Sequence, residues 1–130
     1  MKIKALGAVR TVTGSCYRIE MENGHKVLLD CGLFQGGRQT ELRNANSDVY
    51  EPLKLSAIVL THAHMDHSGL VPRLVKAGYT GPVYATSATC ELLEILWLDA
   101  ANIQEQEAVW KSRKNNRQGK GKVEPLYTED

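Results

Sequence analysis

A chain of 130 residues, 42% hydrophobic and 24% charged, is long enough for one domain with a sizeable core. Its formal net charge of +1 offers no overall electrostatic case for a nucleic-acid or an acidic partner. No apolar run approaches the ~18–20 residues that a membrane-spanning helix needs, and MKIKALGAVR at the N-terminus lacks the apolar stretch of a secretory leader. The expectation is a soluble, cytoplasmic chain. Cys16, Cys31 and Cys90 are odd in number and far apart, with no C-x-x-C pair. They predict buried free thiols in a reducing compartment, rather than a disulfide framework or a thiolate zinc site.

Lys2-Ile3-Lys4-Ala5-Leu6 alternates before Gly7 and predicts a first strand with one wet face. In SCYRIEMENGHKVLLDCG, Tyr17, Ile19 and Met21 alternate with Arg18, Glu20 and Glu22, the period that separates core from solvent. Asn23-Gly24 predicts a type I′ turn and hence a hairpin. The returning Val27-Leu28-Leu29 is apolar throughout, as a strand covered on both faces would be, and ends at Asp30-Cys31-Gly32. Residues 33–52 are polar, with Gly36-Gly37 and Pro52, and read as a long loop with room for a helical turn. LSAIVLTH is another strand, buried at Ile58, Val59 and Leu60. Gly69 to Ala77 fits a helix with Pro72 in its first turn and Gly78 as its stop. Gly81-Pro82 introduces a short strand, Val83-Tyr84-Ala85.

From Thr86 to about Lys114 the pattern is helical. Leu92, Leu93, Leu96, Trp97, Ala100 and Ala101 recur at steps of three and four and form one apolar stripe, compatible with one helix or two. Strands first, then strand and helix alternating around buried strands, predict a layered α/β architecture. Between Lys111 and Lys122 lie six basic residues and no acid. Without interleaved aromatics this reads first as a solvated segment whose early lysines complement the helix dipole. The sharper reading is a phosphate-contacting strip for RNA through Lys111, Arg113, Lys114 and Arg117. Thr128-Glu129-Asp130 reads as a helix start, a capping threonine followed by two acids.

LTHAHMDHSG, residues 60–69, gathers three of the four histidines and an aspartate. At a strand end, His62 and His64 project to the same side by the period of two, so both can reach one ion. Asp66 and His67 come from the turn that follows and can address a second position close by. Imidazole nitrogen and carboxylate oxygen suit zinc, manganese or iron. Two ions roughly 3.5–4 Å apart can share a hydroxide and clamp the oxygens of a scissile phosphate or ester, so metal-assisted hydrolysis is the leading class. Spacing alone does not choose the substrate. Asp30 also ends an apolar strand, where it either orients a ligating imidazole from behind or is a plain turn aspartate before Gly32. His25, directly after the hairpin turn, reads as a surface histidine.

THAHMDHSG resembles the H-x-H-x-D-H signature of the metallo-β-lactamase superfamily, and LLDCG resembles its upstream aspartate motif. Within that superfamily LGAVRTVTGSCYRIE, DCGLFQGGRQ, GPVYAT and IQEQEA together resemble the β-CASP ribonucleases. Those include bacterial and archaeal relatives of the cleavage and polyadenylation specificity factor nuclease subunit. The resemblance runs over nearly the whole chain and implies the first half of an αββα sandwich, into which that family inserts a β-CASP domain. It further implies two zinc ions and hydrolysis of RNA phosphodiester bonds by a bridging hydroxide. By position, His62 and His64 would bind the first ion, and Asp66 and His67 the second. Asp66 would be catalytic, positioning or deprotonating the water, with Asp30 behind the ligands. The family's later histidines, bridging aspartate, general acid and β-CASP insertion have no counterpart here, since no histidine follows His67. Asp99 lies in the helical stretch, and Asp130 is the last residue. What is implied is a ribonuclease when complete and an inactive or incomplete piece alone. Two alternatives stand beside it. One is another hydrolase of the superfamily, acting on a thioester, a lactam or a DNA end. The other is a non-enzymatic shortened product that binds RNA, or that pairs with itself or a complementing chain through uncovered strands and apolar faces.

Overall fold

A computed structural model describes residues 1–130. It holds one five-stranded sheet of β1 (Lys2–Ala5), β2 (Tyr17–Glu20), β3 (Lys26–Leu29), β4 (Ala57–Val59) and β5 (Val83–Tyr84). Spatial order follows chain order. β1, β2 and β3 pair antiparallel, whereas β3–β4 and β4–β5 are parallel. The helices are α1 (Arg38–Glu41), α2 (Met65–Ser68), α3 (Val71–Lys76) and α4 (Ser87–Arg117). Residues 33–52, read as a long loop with room for a helical turn, hold more than one such turn. Besides α1 they carry two 3-10 turns, Leu42–Ala45 and Asp48–Tyr50, and a third, Pro52–Lys54, begins at their end. The architecture is the mixed α/β one that the strand and helix order predicts.

The β2–β3 hairpin forms where predicted, with a different turn. The Gly24 N–H donates to the Met21 carbonyl at 3.0 Å and the Met21 N–H to the His25 carbonyl at 2.9 Å. Gly24, at φ 86°, is the one turn residue with positive φ. This is a type I turn closed by a left-handed glycine, not type I′. Asn23 stays right-handed and uses its Oδ1 to accept the His25 N–H at 3.2 Å.

The period of two holds along β2, but the faces are reversed. Arg18, Leu28 and Ile58 stand in one cross-strand row on the helix-covered face. Leu28 and Ile58 are fully buried there, and Arg18 is nearly so. Its guanidinium is held by Glu20 at 3.0 Å and Glu51 at 2.6 Å. Tyr17, Leu29 and Val59 form a row on the other face, as do Ile19, Val27 and Ala57, and all six are half-buried. β3 is therefore covered on one face only, and β1, with Ile3 63% exposed, on neither. Alternation reveals that two faces exist. Which face receives the helices depends on where the crossovers run, and here they all pack on one side.

The core gathers Leu28, Ile58, Leu60, Leu70, Leu74 and Tyr79 between sheet and helices. α3 starts later than predicted but keeps Pro72 in its first turn, and Gly78 ends the segment at φ 102°. α4 is a single helix of 31 residues. Thr86 Oγ1 caps it by accepting the Thr89 N–H at 3.3 Å. Leu93, Ala101 and Ala108 face inward, whereas Leu92 of the predicted stripe is exposed. Thr128–Asp130 form no helix. Glu129 instead accepts a bond from Asn102 Nδ2 at 2.9 Å. Cys16 and Cys31 are buried as predicted, but Cys90 is exposed on α4. Burial pushes the Cys31 thiol well up, with the neighbouring Cys16 adding to the effect. No helix is long and apolar enough to cross a membrane.

Candidate metal centre

β4 stops at Val59, and Leu60 is buried with its N–H bonded to the Tyr84 carbonyl at 2.8 Å. The chain then leaves the sheet. His64 is the N-cap of α2, and its carbonyl accepts the N–H groups of His67 and Ser68, both at 2.9 Å. The buried Ser68 hydroxyl pins the loop from below, donating to the Ala63 carbonyl at 2.9 Å. His62 and His64 do not lie on a strand, so the alternation invoked from the sequence is not what brings them together. The loop and the α2 cap do so, leaving His62 Nε2 3.2 Å from His64 Nδ1. The His67 ring also lies close, 4.1 Å from that of His62 between centroids.

Asp30, at the end of β3, holds the opposite side. It adopts a left-handed backbone, φ 58°, which aspartate tolerates better than most residues, and it is almost fully buried. Its Oδ1 accepts the Thr61 N–H at 2.8 Å, and its Oδ2 lies 2.8 Å from His67 Nδ1. The Thr61 hydroxyl is 2.9 Å from Oδ2 and 2.9 Å from His62 Nδ1. A carboxylate only accepts, so the hydroxyl donates its single proton to Asp30 and accepts from His62 Nδ1–H. Asp30 thereby places the Nδ1 proton of His67 directly and that of His62 through Thr61. Both imidazoles are left with an unprotonated Nε2, that of His62 directed at His64 Nδ1 and that of His67 at Asp66 Oδ2. Thr61 is a member of the site that sequence reasoning missed. Nothing in LTHAH separates it from an ordinary strand-end threonine.

Three loops mesh around this network. Ser15 N–H donates to the Asp66 carbonyl, Cys31 N–H to His67 and Leu33 N–H to Met65, each at 2.8 Å. Gly32 N–H donates to the Ser15 carbonyl at 2.9 Å. Gly32 has no room for a side chain, because a Cβ there would stand 1.6 Å from the Asp66 carbonyl oxygen. The donors of residues 62–67 thus rest on backbone contacts from two other segments.

Two neighbouring ligands of a tetrahedral zinc with bonds of ~2.0–2.1 Å are about 3.3 Å apart. The His62–His64 separation of 3.2 Å fits one such edge, and that of 3.5 Å between His67 Nε2 and Asp66 Oδ2 fits another. The donor chemistry suits zinc in both pairs. No three His, Cys, Asp or Glu side chains gather around one point, so the residues present offer two edges and no closed shell.

The remaining candidates lie apart from this cluster. His25 is exposed and bonded to Ser56 Oγ at 2.9 Å. Lys111, Arg113, Lys114 and Arg117 occupy the last turns of α4. Lys111 pairs with Glu107 at 3.0 Å, and the Lys114 ammonium sits 5.4 Å from the centre of the Trp110 ring. Lys111 shares a cleft with the metal motif, a hollow of about 690 Å³ that Met65 also lines. Glu41, Glu107 and Glu124 line it too, which makes its charge net acidic.

The sequence model of the Metallo-beta-lactamase superfamily matches residues 9–124. Ribonuclease TTHA0252 of Thermus thermophilus is 46% identical over 106 residues, covering 82% of this chain and 24% of that protein. Transcription termination factor FttA of Methanothermobacter thermautotrophicus is 39% identical over 108 residues, covering 82% of this chain and 17% of that protein. The chain spans a quarter or less of the length of these relatives. With the superfamily's model matched over residues 9–124 and its histidine and aspartate motifs meeting at one edge of the sheet, the chain belongs to the metallo-beta-lactamase superfamily.

Proposed function

We propose that these residues are the N-terminal part of a β-CASP-type ribonuclease, a cytoplasmic, zinc-dependent hydrolase of RNA phosphodiester bonds. The observation that carries the reading is the Asp30 carboxylate set against both Thr61 and His67, which presents two imidazoles with unprotonated Nε2 atoms beside His64 and Asp66. A relative named as a ribonuclease, at 46% identity, points the substrate class to RNA.

In this reading His62 and His64 hold one zinc ion, and Asp66 and His67 hold a second. Zinc in such a site neutralises charge on a scissile phosphodiester and acidifies water. The Asp66 carboxylate, half-buried and 3.5 Å from His67 Nε2, takes the proton of the attacking water. Asp30 fixes the imidazoles and touches no substrate. Lys111, Arg113, Lys114 and Arg117 bind backbone phosphates of the RNA, a contribution that weakens with salt. Each ion wants around four ligands, and this chain brings two to each. The β-CASP insertion and the C-terminal half of the domain supply the rest, so the 130 residues alone hold zinc weakly and do not cut RNA.

The test compares this chain with a protein that carries it at the full length of its relatives. Zinc content and cleavage of labelled single-stranded RNA are measured for both. The long form is expected to hold two zinc ions and to cleave RNA, and His62→Ala to lose zinc and activity together. A zinc-loaded long form that hydrolyses a thioester, a lactam or a DNA end and leaves RNA intact would overturn the substrate. Two tightly held zinc ions in the short chain would overturn its incompleteness.

A further inference from the structure

α4 has an outer face as well as an inner one. Ile95, Leu98 and Val109 are 68%, 53% and 52% exposed. With Glu91, Asn102, Gln106 and Arg113 they fall on one line along the helix, at steps of three and four residues. Charge is segregated along the same helix. From Ser87 to Trp110 every charged residue is acidic, and from Lys111 to Arg117 every one is basic. Glu91 and Arg113 make no ion pair within the chain. Two such helices side by side in parallel set acid against acid and base against base. Antiparallel, each acidic half meets a basic half.

The spacing of the line is the same read from either end about Asn102. A two-fold axis at Asn102 therefore sets Glu91 opposite Arg113 of a second copy, Ile95 opposite Val109, and Leu98 opposite Gln106. Self-complementarity of this kind is what an isologous interface requires. Asn102 meets itself at the centre, already bonded to Gln106 at 2.5 Å and to Glu129 at 2.9 Å. A polar residue at one central position fixes register, because a shift by one turn buries it against an aliphatic side chain.

We propose that two copies of this chain associate through the outer face of α4, antiparallel about Asn102. The sheet's second face is also open, but it carries no comparable charge pattern to say what covers it.

Sedimentation velocity from micromolar to millimolar concentration tests this. The chain is expected to pass from monomer to dimer. Ile95→Asp, an exposed position whose change leaves the circular dichroism spectrum unaltered, weakens association by about tenfold or more. Glu91→Arg and Arg113→Glu each weaken self-association, and an equimolar mixture of the two recovers it, because both ion pairs re-form in the mixed dimer. Ile19→Asp, on the open sheet face, leaves association unchanged. A chain that stays monomeric throughout overturns the proposal. So does a dimer insensitive to Ile95→Asp, a mixture that stays monomeric, or a dimer dissociated by Ile19→Asp.

Discussion

Replacing Asp30 by asparagine and by alanine separates its two duties. A hydrogen bond to a charged acceptor is worth about 1.5–3 kcal/mol, and one to a neutral acceptor about 0.5–1.5 kcal/mol. Asp30 accepts from the Thr61 N–H, the Thr61 hydroxyl and His67 Nδ1 at 2.8–2.9 Å, and it is buried, so solvent screens these bonds little. Alanine removes all three and orphans the Thr61 N–H. At φ 58° it also meets a left-handed penalty of about 1–2 kcal/mol. The expected loss is about 5 kcal/mol, comparable to the entire stability of a small domain. Asparagine keeps the shape, tolerates the backbone and still accepts from Thr61, so its cost is about 2 kcal/mol. The Thr61 N–H is a fixed donor and forces the amide oxygen toward itself, which turns the amide NH₂ on His67 Nδ1. The imidazole must then accept there and carry its proton on Nε2, the nitrogen a metal needs. Asp30→Asn should fold and yet bind zinc about 10–100-fold more weakly. Urea unfolding in chelator gives the first quantity, and competition with a chromophoric chelator gives the second. If asparagine unfolds the chain as readily as alanine, or leaves zinc affinity untouched, Asp30 does not set the tautomer and the reasoning fails.

Two further outcomes follow from the same contacts. Gly32→Ala should lower the urea midpoint by the equivalent of about 3 kcal/mol or more, since its Cβ meets the Asp66 carbonyl at 1.6 Å and the Ser15 nitrogen at 2.8 Å, both backbone; an unchanged midpoint would show that the loops part freely. Glu51 is held down to about 2, first by its bond from Lys54 and then by that from Lys26. A folded value below the unfolded one of about 4.5 means stability present above that pH and lost as pH falls toward 2. Glu51→Gln should therefore lose less stability than the parent between about pH 5 and about pH 2.5, and equal losses would remove Glu51 as a cause of acid unfolding.

Much of the fold was legible where a pattern carries its own period. The hairpin, the strand before the histidines and the long helix all fall close to their predicted places. What a period cannot carry is which side is covered, and β2 shows it: Ile19 points to the open face, while Arg18 points inward against Glu20 and Glu51. α2 escaped notice because four residues are too few for a helical repeat to show, so Asp66 and His67 read as a turn. The clustering of His62 with His64 was legible from proximity in sequence, although a capped loop rather than strand alternation brings it about. The role of Thr61 was not legible, because it depends on a carboxylate 31 residues away.

The bond between Asp30 and His67 spans 37 residues. It forms only once β3 and β4 have paired in parallel, which is among the slower events in folding because a long loop must close first. His62, His64, Asp66 and His67 are by contrast neighbours in the chain, and an unfolded molecule presents them just as readily. The centre therefore divides into a local part that exists before folding and a distant part that exists only after it. Under the proposed zinc assignment, metal taken up early would meet histidines with either nitrogen protonated, and binding to the unfolded chain would subtract from any stabilisation the ion gives the native state. Under that assignment, the folded chain's advantage as a ligand would be the work done by Asp30 and Thr61, which hold the His62 and His67 rings in one tautomer.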